Sequence, residues 1–197
     1  MKKFCIIGLG YIGLPTAALL SSFNKKVIGV DINQKIIDAI NRGEIVIKEK
    51  DLDDLVKKVV KNKYLIAKSQ PVNADVFVIA VPTPLIKDNF ETPQPDISYV
   101  LHAIKSIISF LKPGNLIIIE STCPVGTTQK IENLIKKETN YDRNDINIAY
   151  CPERVLPGKI IEELQKNNRI VGGLTKKASQ KAKRFYEIFC EGKIDIT

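Results

Sequence analysis

Gly8, Gly10 and Gly13 stand at Gly-x-Gly-x-x-Gly spacing, and Asp31 follows about twenty residues later. In a strand–turn–helix setting each glycine has a physical task. Gly8 makes the tight turn, Gly10 lets the backbone approach a pyrophosphate, and Gly13 lets helix and strand pack closely. The phosphates would sit on unpaired N–H groups at the positive end of the helix dipole, beside Tyr11 and Ile12. Asp31 sits where a carboxylate can accept hydrogen bonds from an adenosine ribose diol. It would also repel a 2′-phosphate, so the expected cofactor is NAD and not NADP. The plainer reading of Asp31 is an N-cap for a helix from Asn33 onward, and the two roles are compatible.

Three further loops carry polar groups that could work beside such a cofactor. In Val81-Pro82-Thr83-Pro84, flanking prolines fix the backbone and present the Thr83 hydroxyl. Glu120 to Thr128 offers hydroxyls, Thr122 among them, and helix-start N–H groups; simple helix capping would explain it too. Cys151-Pro152-Glu153-Arg154-Val155-Leu156-Pro157-Gly158-Lys159 gathers a carboxylate, a guanidinium and an ammonium. An ordinary surface loop carries such charges as well.

Alternating elements would place these loops. Phe4–Ile7, 26–30, 64–67, 74–81, 116–119 and 146–150 read as strands, and 194–197 as the start of another. Helices are expected over 14–23, 34–42 (closed by Gly43), 52–61 (capped by Asp51), from Asp96 or Ser98 to 111, 125–137 and 178–190. The four prolines between Pro82 and Pro95 demand an irregular loop. The order predicts an α/β fold: a doubly wound parallel sheet of Rossmann type, one NAD-binding domain over 1–197. Ligands bind such sheets at the carboxyl ends of the strands, where all four loops fall.

With 197 residues, 44% of them hydrophobic, the chain can bury one sizeable core. No apolar run approaches the ~20 residues of a membrane helix, and the N-terminus lacks a signal-peptide profile. Cys5, Cys123, Cys151 and Cys190 are scattered without a Cys-x-x-Cys pair. Reduced thiols in the cytoplasm are therefore expected, with no disulfide framework and no metal site. The net charge of +8 comes from lysines spread over helix faces, without an arginine-rich or aromatic-interleaved patch. It predicts a solvated surface favourable to anionic small molecules, not a nucleic-acid partner.

Taken together, the loops resemble the UDP-glucose/GDP-mannose dehydrogenase family. The matching segments are 8–15 (Gly-Leu-Gly-Tyr-Ile-Gly-Leu-Pro), 30–33, 40–44, 81–84 (Val-Pro-Thr-Pro), 120–128 (Glu-Ser-Thr-Cys-Pro-Val-Gly-Thr-Thr), 152–158 (Pro-Glu-Arg-Val-Leu-Pro-Gly) and 168–173 (Asn-Arg-Ile-Val-Gly-Gly). They span nearly the whole chain in the family's order. The resemblance implies oxidation of a nucleotide-sugar C6 alcohol to a carboxylate, with two NAD used in succession and a cysteine thioester between them. The 152–158 segment points to the branch acting on acetamido sugars such as UDP-N-acetyl-D-mannosamine; the UDP-glucose branch typically has an aromatic after the Glu and a second acid at the position of Pro157. By resemblance, Tyr11, Ile12, Asp31, Thr83 and Thr122 contact NAD. Glu153 serves thioester hydrolysis as base or water-orienting group, and Arg154 and Val155 touch the UDP-sugar. The family's catalytic lysine, asparagine and nucleophilic cysteine lie further along, as does the helix through which it forms homo-oligomers. The chain is therefore expected to be part of a longer enzyme and inactive alone.

Tyr64-x-x-x-Lys68 imitates the Tyr/Lys pair of short-chain dehydrogenases, but it falls on an early strand where that chemistry needs a later helix. A β-hydroxyacid dehydrogenase shares the N-terminal fold and lacks the 152–158 loop. A stand-alone NAD-binding or redox-sensing module is the alternative outside enzymes, and a UDP-glucose or UDP-N-acetylglucosamine 6-dehydrogenase is the alternative within the family.

Overall fold

The computed structural model describes residues 2–86 and 93–197. The centre of the proline-rich loop, 87–92, lies outside the described residues. Its two arms pair, with Ile86 N–H donating to Gln94 O at 2.8 Å and Asp96 N–H to Pro84 O at 2.7 Å.

In chain order the elements are β1 (Phe4–Ile7), α1 (Gly13–Ser22), β2 (Val27–Val30), α2 (Gln34–Asn41), α3 (Leu52–Lys61), β3 (Leu65–Lys68), β4 (Val76–Ile79), α4 (Ser98–Ile107), β5 (Leu116–Ile119), α5 (Thr127–Glu138), β6 (Asn147–Tyr150), α6 (Ile160–Lys166), β7 (Arg169–Gly173), α7 (Lys176–Tyr186) and β8 (Ile194–Ile196). One sheet of eight strands has the order β3-β2-β1-β4-β5-β6-β7-β8. β1 to β6 run parallel, in the doubly wound arrangement the alternation predicts.

Strand period sorts the core. Phe4, Ile6, Val76, Val78, Leu116, Ile118 and Ala149 face one cluster with residues of α1, α2, α3, α6 and α7. Cys5, Ile7, Phe77, Ile79, Ile117, Ile119 and Ile148 face the other, with α4 and α5. Strands buried on both faces must be apolar at successive positions, and these are.

Two elements depart from the expectation. A short helix, α6, follows the 152–159 loop, and β7 then returns antiparallel to β6, pairing Ala149 with Gly173 and Tyr150 with Gly172. A seven-residue helix is too short for period to declare, and β7 (Arg-Ile-Val-Gly-Gly) has only two apolar side chains, between an arginine and two glycines, so it lacks the apolar run of a buried strand. Helix starts also move. Asp51 sits at the head of α3 with φ +63° and no side-chain cap bond. The cap of α2 is Asn33, whose Oδ1 accepts Lys35 N–H at 3.0 Å, so Asp31 is not the cap. Val125 lies before α5, fully exposed. The helix from Ser98 ends at Ile107 and passes into a single 3₁₀ turn at Ile108–Phe110.

Candidate NAD and nucleotide-sugar site

The β1–α1 turn is built by close approach. Gly8 has φ +94°, and a Cβ there would lie 2.5 Å from Ala80 O; one on Gly13 would lie 1.8 Å from Gly8 O. A side chain on Gly13 would push α1 away from the turn, and one on Gly8 would strike the backbone just after β4. The backbone N–H groups of Gly10, Tyr11, Ile12 and Gly13 have no acceptor among the described residues. A Cβ on Gly10 would meet nothing within 4 Å, so the turn is open where those N–H groups lie. Tyr11 is exposed and Ile12 half-buried.

Asp31, at the end of β2, is oriented from two sides. Its Oδ2 accepts Leu9 N–H and its Oδ1 accepts Asn33 N–H, both at 2.9 Å. Each oxygen keeps lone-pair capacity for a further donor. Unpaired N–H groups on an open turn, next to a fixed carboxylate, suit a pyrophosphate and a ribose diol. The residues present therefore fit NAD.

The loops after β4 and β5 are tied together. Ser121, buried, donates its hydroxyl to Val81 O at 2.7 Å. Thr83 is half-buried and Thr122 exposed, each at the carboxyl end of its strand. Cys123 N–H donates to the Tyr150 hydroxyl at 3.2 Å, which connects the β5 loop to the end of β6.

Beyond Tyr150 opens a pocket of about 620 Å³, lined by Glu153, Arg154, Asn167, Asn168 and Arg169 among others. Arg154 is exposed, and Val155 is half-buried against the α1–α7 core. The Glu153 carboxylate neither pairs with Arg154 nor caps a turn. It forms an ion pair with Arg169, and the two side chains are only 6% and 4% exposed. Arg169 also donates Nη2 to Leu164 O at 3.0 Å and lies 4.4 Å over the Tyr186 ring.

Three residues given no role from sequence shape this region. Arg169 is one. Glu49, buried, accepts Gly158 N–H at 2.8 Å and Ile160 N–H at 2.9 Å, and so fixes the loop after β6 and caps α6 across more than a hundred residues. Glu120 continues the Leu116, Ile118 face of β5 into the core between α1 and α7. Its oxygens meet Tyr186 OH at 2.9 Å and Thr16 Oγ1 at 3.3 Å. Period two along β5 is the signal that could have turned Glu120 inward instead of toward the crevice.

The four cysteines are free thiols. Burial pushes Cys5 and Cys123 up to about 11 and raises Cys151 as well. Thiols held protonated are poor nucleophiles. Among the described residues no helix is long and apolar enough to cross a membrane.

Comparison with known proteins gives the fold and turn a lineage. The model of the UDP-glucose/GDP-mannose dehydrogenase family NAD binding domain matches residues 2–190. The chain is 51% identical to the UDP-N-acetyl-D-mannosamine dehydrogenase of Campylobacter jejuni, covering 100% of this chain and 49% of that one. It is 46% identical to an NDP-N-acetyl-D-galactosaminuronic acid dehydrogenase of Ralstonia nicotianae, over 100% of this chain and 47% of that one. The solved UDP-N-acetyl-mannosamine dehydrogenase of Staphylococcus aureus superposes with a TM-score of 0.93 at 43% identity, covering 99% of this chain and 47% of that one. The chain thus spans about half the length of the curated relatives it matches. With a partner-free glycine turn, an oriented acid after β2 and a family match over nearly its whole length, the chain belongs to the UDP-glucose/GDP-mannose dehydrogenase family, as its NAD-binding domain.

Proposed function

We propose that residues 1–197 form the NAD-binding domain of a cytoplasmic, homo-oligomeric nucleotide-sugar 6-dehydrogenase, which oxidises UDP-N-acetyl-D-mannosamine to its uronate. The N–H groups of Gly10 to Gly13 hold the pyrophosphate, Asp31 takes the ribose hydroxyls, and Tyr11, Ile12, Thr83 and Thr122 complete the cofactor contacts. NAD, when bound, supplies the hydride-accepting chemistry. Arg154 and Val155 contact the sugar nucleotide. Glu153 orients or deprotonates the water that releases the acid from the family's cysteine, which lies outside these residues. The observation that carries this reading is one shared edge: turn, Asp31, Thr83, Thr122 and the Glu153 pocket all stand at the carboxyl ends of adjacent strands. The sugar is assigned from the relatives named above.

The test joins this domain to the remaining half that its relatives carry and follows NADH formation with UDP-N-acetyl-D-mannosamine. Glu153→Gln is expected to leave NAD binding and the first oxidation intact and to slow release by roughly 10²–10⁴-fold, the range for lost acid–base catalysis. A covalent adduct should then appear as added protein mass. A wild-type steady-state rate in Glu153→Gln would overturn the role of Glu153.

A further inference from the structure

Behind the Glu153 pocket, two buried carboxyl groups face one cation. Arg169 is the only buried Lys or Arg among the described residues. It pairs directly with Glu153, which lines the pocket. Glu120 lies deeper, 2% exposed, and no cation bonds to it directly. The groups facing Glu120 are Thr16 from α1, Tyr186 from α7, Arg169 from β7, and Cys151 at the end of β6. Tyr186 and Cys151 are themselves held neutral by burial.

If both carboxyls were ionised, the core would carry a net negative charge, which burial disfavours. One proton must therefore reside on the pair. Glu153 has the guanidinium as its direct partner and Glu120 does not, and burial pushes Glu120 up, so the proton belongs to Glu120. Its hydrogen bonding permits this. The Thr16 hydroxyl can accept as readily as donate, so the proton on the 3.3 Å contact can sit on Glu120 Oε2. Tyr186 OH still donates to Oε1.

We propose that Arg169 is the positioning residue for Glu153 and that Glu120 stays a neutral acid behind it, leaving the guanidinium's charge undivided. Its functional sense rests on the Glu153 reading above; the charge arrangement stands apart from it. The two carboxyls share one counter-ion, so removing the charge of Glu153 frees Arg169 to draw Glu120 into ionisation, with the proton leaving to solvent. Arg169 Nε, buried and without a partner among the described residues, leaves donor capacity for that change.

The experiment is a pH titration of the 197-residue chain labelled with ¹³C at glutamate carboxyls, with the Glu120 resonance assigned through Glu120→Gln. In the wild type, Glu120 is expected to read as a protonated acid after the surface glutamates have ionised. In Glu153→Gln its midpoint should fall by about one pH unit or more, roughly a tenfold change in the ionisation constant. Glu153→Asp, which keeps the charge, should restore the wild-type midpoint. Glu120 titrating with the surface glutamates in the wild type, or at one midpoint in wild type and Glu153→Gln, would overturn the proposal. Thermal melting adds an arm that needs no Glu153 variant. Glu120→Gln replaces a neutral acid by a neutral amide and should hold or raise the melting temperature at neutral pH; a large fall would mark Glu120 as the anion and sink the idea. Turnover separates this from the Glu153 reading. Full activity in Glu153→Gln, together with the lowered Glu120 midpoint, would uphold the shared counter-ion and remove only the hydrolytic role.

Discussion

The carboxylate of Asp31 accepts the backbone N–H of Leu9 at 2.9 Å, so the acid proposed to read a ribose also braces the glycine turn proposed to hold the phosphates. Charge and turn support can be separated by substitution. Asp31→Asn keeps an acceptor for Leu9 but loses the charge; Asp31→Ser loses the charge, and its shorter side chain draws the acceptor back from Leu9 N–H. NAD affinity should fall by roughly 10–150-fold in Asp31→Ser, the equivalent of about 1.5–3 kcal/mol for hydrogen bonds to a charged group. Asp31→Asn should keep more of that affinity and relax the discrimination against NADP. Calorimetric titration of both cofactors measures this, and tighter NADP than NAD binding by the wild type would contradict the assignment.

Glu49 offers a test of how the 152–159 loop is held. Its two oxygens satisfy Gly158 and Ile160 N–H; Glu49→Ala leaves the N–H of exposed Gly158 to water and orphans that of buried Ile160, at roughly 1–3 kcal/mol for the latter. Amide exchange at those two residues should accelerate while NAD affinity stays at the wild-type value, since the glycine turn is elsewhere. Unchanged exchange at Gly158 would show that the loop is fixed by other contacts.

The parts of this fold that sequence declares are those set by local pattern. β1 and β5 fall on the expected residues, because a four-residue apolar run ending at a turn allows few other boundaries. The glycine turn is equally local. What stayed hidden depends on partners far apart in the chain. Nothing about Arg169 by itself announces burial, since arginine is normally a surface residue. Its place follows only once α6 and β7 carry it back beneath Glu153, 16 residues earlier. The clamp of Glu49 on Gly158 is likewise invisible to period or motif.

Ser121 ties the loop after β5 to the loop after β4 through one hydroxyl, bonded to Val81 O at 2.7 Å. Ser121→Ala should cost about 1 kcal/mol, or roughly 2–4 °C in melting temperature for a domain of this size. NAD should also bind several-fold more weakly, because Thr83 loses its support. A melting temperature lowered without any loss of NAD affinity would mean that the Thr83 loop holds its place unaided.

Burial of the Cys5 thiol makes stability sensitive to alkali. Cys5 is fully buried in the middle of β1, and desolvation pushes it from 9.0 to about 11, against a smaller downward pull from a backbone hydrogen bond at Val72. The folded state therefore keeps its proton at a pH where the unfolded chain gives it up. The contribution is complete below the unfolded value near 8.5–9 and is lost as pH climbs toward 11. Over that window stability should fall by about 1.4 kcal/mol per pH unit from this group. Tyr186, also raised by burial, adds a limb that begins nearer pH 10. Cys5→Ala leaves a small cavity and is less stable at pH 7, but it lacks the thiol limb. The gap between wild type and variant should narrow between pH 9 and 10 in urea unfolding. A gap that stays constant across that range would show that the Cys5 thiol does not titrate differently in the two states.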